Sequence, residues 1–140
     1  MGTNADSQAV SLCLNLEYYM QMKLLIVDDD RRVRKMIARV AAEATDEVIE
    51  CDNGQNAPAV YAEHLPDWVL MDLMMPGMDG IVATQQIVSS FPQAKIIIVT
   101  SHESEAMRER AGMAGACGYV LKENLSVLRG MIAGEPAGCY

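Results

Sequence analysis

From Leu24 onward, short apolar runs alternate with segments in which apolar residues return every three or four positions. The runs Leu24-Leu25-Ile26-Val27, Val48-Ile49-Glu50-Cys51, Trp68-Val69-Leu70-Met71, Lys95 to Thr100 and Tyr119-Val120-Leu121 have the length of strands. Most are apolar on successive positions, as in strands covered on both faces. Between the first two, Val33, Met36, Ile37, Val40, Ala41 and Ala44 recur at helical spacing, which assigns Arg32, Arg34, Lys35 and Arg39 to the solvent side. Proline is tolerated only in a first helical turn, so Pro58 places a second helix from about Ala57 to Glu63. A third helix from about Gly80 to Ser90 turns Ile81, Thr84, Ile87 and Val88 inward. A fourth, from about Ser104 to Ala114, uses Met107, Ala111 and Ala114, and Gly112 weakens it by about 1 kcal/mol relative to alanine. The last is expected from about Leu125 to Ala133, stopped by Gly134 and Pro136.

Strands that alternate with helices pair in parallel through right-handed crossovers, which put helices on both faces of the sheet. The expected fold is therefore α/β: a five-stranded parallel sheet, doubly wound; alternation leaves the strand order open, and of the common doubly wound orders the flavodoxin-like 2-1-3-4-5 is the one expected. The rhythm defines a domain over residues 23–134, preceded by an extension over 1–22 and followed by a tail over 135–140. Within the extension Val10, Leu12, Leu14 and Leu16 alternate with Ser11, Cys13, Asn15 and Glu17, a period of two. That spacing suggests an additional edge strand, with a helix as the alternative.

Composition narrows the class. A chain of 140 residues fits one domain and can bury about two thirds of its unfolded surface without staples. Although 51% of residues are hydrophobic, no apolar run approaches the roughly 20 residues a membrane span needs. No Lys or Arg precedes Lys23, so the charged start of a secretory signal is missing and the cytoplasm is expected. Cys13, Cys51, Cys117 and Cys139 are widely spaced, which points to reduced thiols rather than zinc ligation. A formal charge of −8 argues against direct nucleic-acid binding, which needs clustered cations along the phosphate backbone.

In open parallel sheets, ligands sit beyond the carboxyl ends of the strands. Those ends carry Asp28 and Asp29 on the first strand, Asp72 on the third, Thr100 on the fourth and Lys122 on the fifth. Each has an ordinary explanation: aspartates cap helices and fill turns, threonine favours strands, and lysine is often a solvated strand end. A core needs no such set in one place. Three carboxylates suit a hard divalent cation such as Mg²⁺, and a hydroxyl with an ammonium opposite suits a phosphoryl group. Asp72 is then the candidate nucleophile of a phosphoryl transfer, with metal and lysine neutralising charge.

Leu-Ile-Val-Asp28-Asp29, Met-Asp72-Leu-Met-Met-Pro-Gly-Met-Asp-Gly80, Val-Thr100-Ser101 and Gly-Tyr119-Val-Leu-Lys122, in this order, resemble the receiver domain of two-component response regulators over about Lys23 to Gly134. The resemblance implies that Asp72 accepts a phosphoryl group from a sensor histidine kinase or a phosphotransfer protein. It implies Mg²⁺ bound by Asp29 and Asp72 directly, by the Met74 backbone carbonyl, and by Asp28 through water. Thr100 is implied to hold a phosphoryl oxygen and follow it, Lys122 to pair with another, and Tyr119 to turn inward behind Thr100. Ser101 leaves the path to the phosphoryl group open. The protein is then a phosphoacceptor that assists its own phosphorylation and dephosphorylation, not a conventional enzyme.

Where many receivers have proline after the site lysine, this chain has Glu123, a form similar to receivers of the NarL/LuxR type. A cis bond before a residue other than proline costs about 2.5 to 4 kcal/mol, so Lys122-Glu123 is expected to be trans. No recognition helix fits between the last helix and Tyr140, which leaves a stand-alone receiver or the receiver segment of a longer transcriptional regulator. Phosphorylation is expected to reposition the surface of the fourth helix, last strand and last helix and to favour a homodimer there. The rival from another class is a haloacid dehalogenase-type phosphohydrolase with Asp28 as nucleophile. It leaves Asp72 unexplained and finds Arg32 where that family has a small β-branched residue.

Overall fold

The computed structural model describes residues 21–133, so the alternating segment Val10–Leu16 and the tail over 135–140 lie outside the described residues. Five strands, β1 (Lys23–Val27), β2 (Glu47–Cys51), β3 (Trp68–Met71), β4 (Ile96–Thr100) and β5 (Gly118–Leu121), form one sheet in the order β2-β1-β3-β4-β5. Every pairing is parallel. The helices are α1 (Arg31–Ala41), α2 (Ala57–His64), α3 (Gly80–Ser90), α4 (Glu105–Ala114) and α5 (Val127–Ile132).

Alternation along each strand divides the core in two. Leu24 and Ile26 of β1 pack with Ile37 and Ala41 of α1 and with Leu128, Met131 and Ile132 of α5. Leu25 and Val27 face the other way, into a cluster with Tyr61 of α2, Ile81 and Ile87 of α3 and Ala111 of α4. The middle strands are sealed on both sides, and β4 is buried at all five positions, as its β-branched run predicts. The result is the doubly wound fold expected from the sequence.

Two details of α1 and one of α5 depart from expectation. Met36, assigned inward by its spacing, is 43% exposed, because Ile37 and Ala41 already fill the contact with the sheet. Arg34, assigned to solvent, lies back against the domain instead, its guanidinium bonded to groups of β2 and of the β1–α1 turn. The last helix begins two residues later than expected. Lys122–Asn124 forms a 3-10 turn directly after β5, and Leu128 N–H still bonds the Leu125 carbonyl three residues back, so the chain winds tightly before it relaxes into α5.

Gly112 sits in α4 with open space where a side chain would begin. Gly112→Ala is therefore expected to raise stability by about 0.5 to 1 kcal/mol, because it removes backbone entropy from the unfolded chain without meeting any neighbour. An unchanged or lower urea midpoint contradicts this.

Candidate functional site

Backbone hydrogen bonds hold the carboxyl ends of β1 and β3 side by side: Asp72 N–H donates to the Val27 carbonyl at 2.9 Å, and Asp28 N–H to the Cys51 carbonyl at 3.1 Å. The acidic triplet after β1 then divides its roles. Asp30 is the cap of α1, its Oδ1 accepting from Arg32 N–H at 2.8 Å, while Asp28 Oδ1 accepts from Asp30 N–H at 2.8 Å and braces the turn. That leaves Asp28 Oδ2 and the exposed Asp29 to the pocket. On the far side, the register of β4 with β5 sets Thr100 opposite Leu121, so Lys122 emerges beside the end of β4.

Asp28, Asp29, Asp72, Met74, Thr100, Ser101, His102 and Lys122 line one cavity of about 330 Å³. Asp28, Asp72 and Thr100 are all under 5% exposed. The Lys122 ammonium lies 2.9 Å from Asp28 Oδ2 and 3.3 Å from Asp72 Oδ1, a bridge between two buried carboxylates. Asp28 Oδ2 makes no hydrogen bond of good geometry despite this short distance. We take the contact as an ion pair, because the charges are close whatever the angle. Burial, and then the neighbouring Asp28, push the Asp72 carboxyl up to about 6, against the pull of Lys122. For Lys122 burial works the other way, but its two carboxylate partners outweigh it and hold the ammonium above its ordinary range.

Oxygen atoms of Asp28, Asp29 and Asp72 lie within 4.8 Å of one another. These hard donors, with three negative charges against one ammonium and a buried carboxylate oxygen short of hydrogen bonds, fit a small divalent cation. Met74 lines the same cavity and is 59% exposed, and a thioether is too soft a donor for such a cation. The wider groove of about 760 Å³ along Arg31, Arg32, Lys35, Met36, Arg39 and Val40 is a solvent-open cationic face without reactive groups.

Tyr119 is 8% exposed, and its hydroxyl donates to the His102 carbonyl at 2.7 Å, on the loop that follows Thr100. The Arg108 guanidinium stacks 4.6 Å from the ring. Sequence reading had no access to His102, Arg108 or Arg34, because each acts through a backbone carbonyl or an aromatic face that no local pattern announces. Among the described residues no peptide bond is cis, so Lys122-Glu123 is trans as expected.

Gly80 opens α3 against the back of the site. Its N–H donates to the Leu73 carbonyl at 3.0 Å, and a Cβ there would collide with the Asp72 carbonyl oxygen and the Met71 side chain. Gly80→Ala is expected to cost at least about 2 kcal/mol, since backbone rather than a flexible side chain must yield. A denaturation midpoint within error of the parent's is the contrary result.

Comparison with known proteins agrees with this geometry. The profile of the response regulator receiver domain matches residues 24–133. The response regulator GacA of Pseudomonas aeruginosa is 36% identical over 121 residues, covering 81% of this chain and 56% of that protein. The chemotaxis protein CheY of Bacillus subtilis is 39% identical over 104 residues, covering 74% of this chain and 87% of that one. A LuxR-family two-component response regulator from Aurantimonas sp. SI85-9A1 superposes with a TM-score of 0.73 at 32% identity, covering 81% of this chain and 86% of that one. Against GacA and the transcriptional regulatory protein DegU of Brevibacillus brevis, this chain spans about half of the relative's length. A phosphohydrolase built on Asp28 finds no support, since the receiver profile spans residues 24–133 and the relatives it matches are response regulators and chemotaxis proteins. The chain belongs to the response regulator receiver domain family.

Proposed function

We propose that the protein is a phosphoacceptor of two-component signalling in the cytoplasm, with Asp72 taking a phosphoryl group from the phosphohistidine of a sensor histidine kinase or phosphotransfer protein. The observation that carries this reading is the Lys122 ammonium bridging Asp28 and Asp72 in the cavity they share with Asp29 and Thr100. An Asp72 oxygen forms the new O–P bond in line as the donor N–P bond breaks, and the donor imidazole departs with the electron pair. Lys122 follows the negative charge onto a phosphoryl oxygen, and the Thr100 hydroxyl holds another. Asp28, Asp29 and Asp72, with the Met74 carbonyl, are the residues that hold Mg²⁺. When bound, the ion neutralises charge on the phosphoryl oxygens.

Thr100 and Tyr119 form the switch. A shift of Thr100 toward the phosphoryl group moves the loop that carries His102, and Tyr119 is already tied to that loop. The surface of α4, β5 and α5 changes with it, which favours a homodimer. The exposed cations of α1 beside the cavity give a kinase with an acidic docking surface a place to align its phosphohistidine. Water attack on the acyl phosphate, assisted by the same residues, ends the signal. The Lys122-Glu123 pair after β5 and the LuxR-family proteins among the solved relatives support a receiver of the NarL/LuxR type.

The test is incubation with acetyl phosphate and Mg²⁺, followed by intact mass and peptide mapping. One acid-stable, base-labile phosphoryl group on Asp72 is the expected product. No uptake, or uptake on another residue, refutes the assignment. Mg²⁺ alone is expected to raise the melting temperature, with a gain in unfolding free energy that follows RT ln(1 + [L]/Kd), and indifference to millimolar Mg²⁺ counts against the metal site.

A further inference from the structure

Arg34 is the least exposed of the cations of α1, with its side chain 14% exposed. Its Nη1 donates to the backbone carbonyl of Asp28 at 2.8 Å, and its Nε donates to Glu50 Oε1 at 3.0 Å. Glu50 is fixed from its other oxygen by Lys35 Nζ at 2.7 Å. Those bonds hold the Glu50 carboxyl below its ordinary range, Lys35 contributing most, so it remains a charged anchor at neutral pH. The planar guanidinium spans a strand side chain and a turn carbonyl, which a single ammonium cannot reproduce.

The carbonyl it grips belongs to the peptide that joins Asp28 to Asp29. Asp28 is already fixed by its own hydrogen bonds, but Asp29 is exposed, and the direction in which it projects depends on the plane of that peptide. We propose that Arg34, anchored by Glu50, is a positioning residue for divalent-cation binding: it orients the Asp28–Asp29 peptide so that Asp29 faces the cavity beside Asp72. The proposal rests on the reading of the cavity as a Mg²⁺-dependent phosphoacceptor site and extends it to residues outside the cavity. Outer partners of metal ligands act in this way elsewhere, and their loss weakens metal binding about tenfold or more.

Charge and position predict opposite signs here. Arg34→Gln removes a positive charge close to the cation site, so electrostatics alone would tighten Mg²⁺ binding. Loss of a positioning contact loosens it. Calorimetric titration of the full chain with MgCl₂ at neutral pH is expected to show the dissociation constant rising about tenfold in Arg34→Gln. A smaller rise is expected in Arg34→Lys, which keeps the charge but not the planar bridge, and no rise in Arg39→Gln, an exposed cation on the same helix. Urea denaturation without Mg²⁺ separates lost affinity from lost fold, and Arg34→Lys, in which the charge is unchanged, serves if Arg34→Gln does not fold. Unchanged or tighter Mg²⁺ binding in folded variants overturns the proposal. A parent chain that binds no Mg²⁺ overturns the functional reading as well, and the two failures are thereby distinguished.

Discussion

Asp72→Asn is expected to abolish phosphoryl uptake and, in the absence of divalent cation, to make the protein more stable at neutral pH. The first effect follows because the amide keeps the shape of the carboxylate but supplies no nucleophilic oxygen. The second follows from the position of Asp72 in the fold. Burial raises its carboxyl from the ordinary 3.8 to about 6, with Asp28 adding to the effect and Lys122 opposing it. Between those two values the folded chain binds more protons than the unfolded one, so stability falls as the pH rises from 3.8 to about 6 and stays low above. That interval corresponds to about 3 kcal/mol, an upper bound because asparagine also gives up its attraction to Lys122. In EDTA, the parent should therefore gain stability on acidification from pH 7 to pH 5, and Asp72→Asn should lack that gain. Equal pH slopes in the two proteins would show that Asp72 is not the strained group.

Lys122→Ala is expected to have the largest cost. It leaves Asp28 and Asp72, both almost fully buried, without the ammonium that lies 2.9 and 3.3 Å away. Removing one partner from such an arrangement costs about 3 to 5 kcal/mol, much of it the penalty of an uncompensated buried charge. Two further signs identify the cause. Lower pH should shrink the deficit, because Asp72 takes up a proton as the pH falls through about 6. Added Mg²⁺ should recover more stability in the variant than in the parent, because the carboxylates then have no competing cation. A deficit insensitive to both pH and Mg²⁺ would point to lost packing of the lysine stem instead.

The parts legible in the sequence are those written in local patterns. β3 and α3 begin and end where expected, because Pro66, Pro76, Gly77 and Gly80 punctuate them and their apolar residues are unambiguous. The parallel, doubly wound sheet was legible from the alternation of strands and helices, and the convergence of Asp28, Asp29, Asp72, Thr100 and Lys122 followed from their positions at strand ends. What escaped depends on contacts between distant segments. Periodicity cannot tell that Arg34 curls back to a carbonyl while Arg32 and Arg39 reach water, since all three lie off the apolar stripe of the helix. Nor can it show that Tyr119 meets the His102 carbonyl, 17 residues earlier in the chain. The late start of α5 is a matter of local winding, which apolar spacing does not encode.

β5 contributes only four residues to the sheet and borders β4 alone among the described strands, yet the residue that follows it is the one cation facing both buried carboxylates. If Asp72 is the phosphoacceptor proposed above, competence to be phosphorylated is tied to completion of the fold. A nascent chain that has assembled β1, β3 and β4 already brings Asp28 and Asp72 together, but the repulsion between them persists until the last strand docks and delivers Lys122. The same holds in reverse whenever the edge strand opens locally in the finished protein. On the proposed reading, a molecule frayed at β5 lacks the ammonium that faces Asp28 and Asp72 and is expected to take up a phosphoryl group poorly.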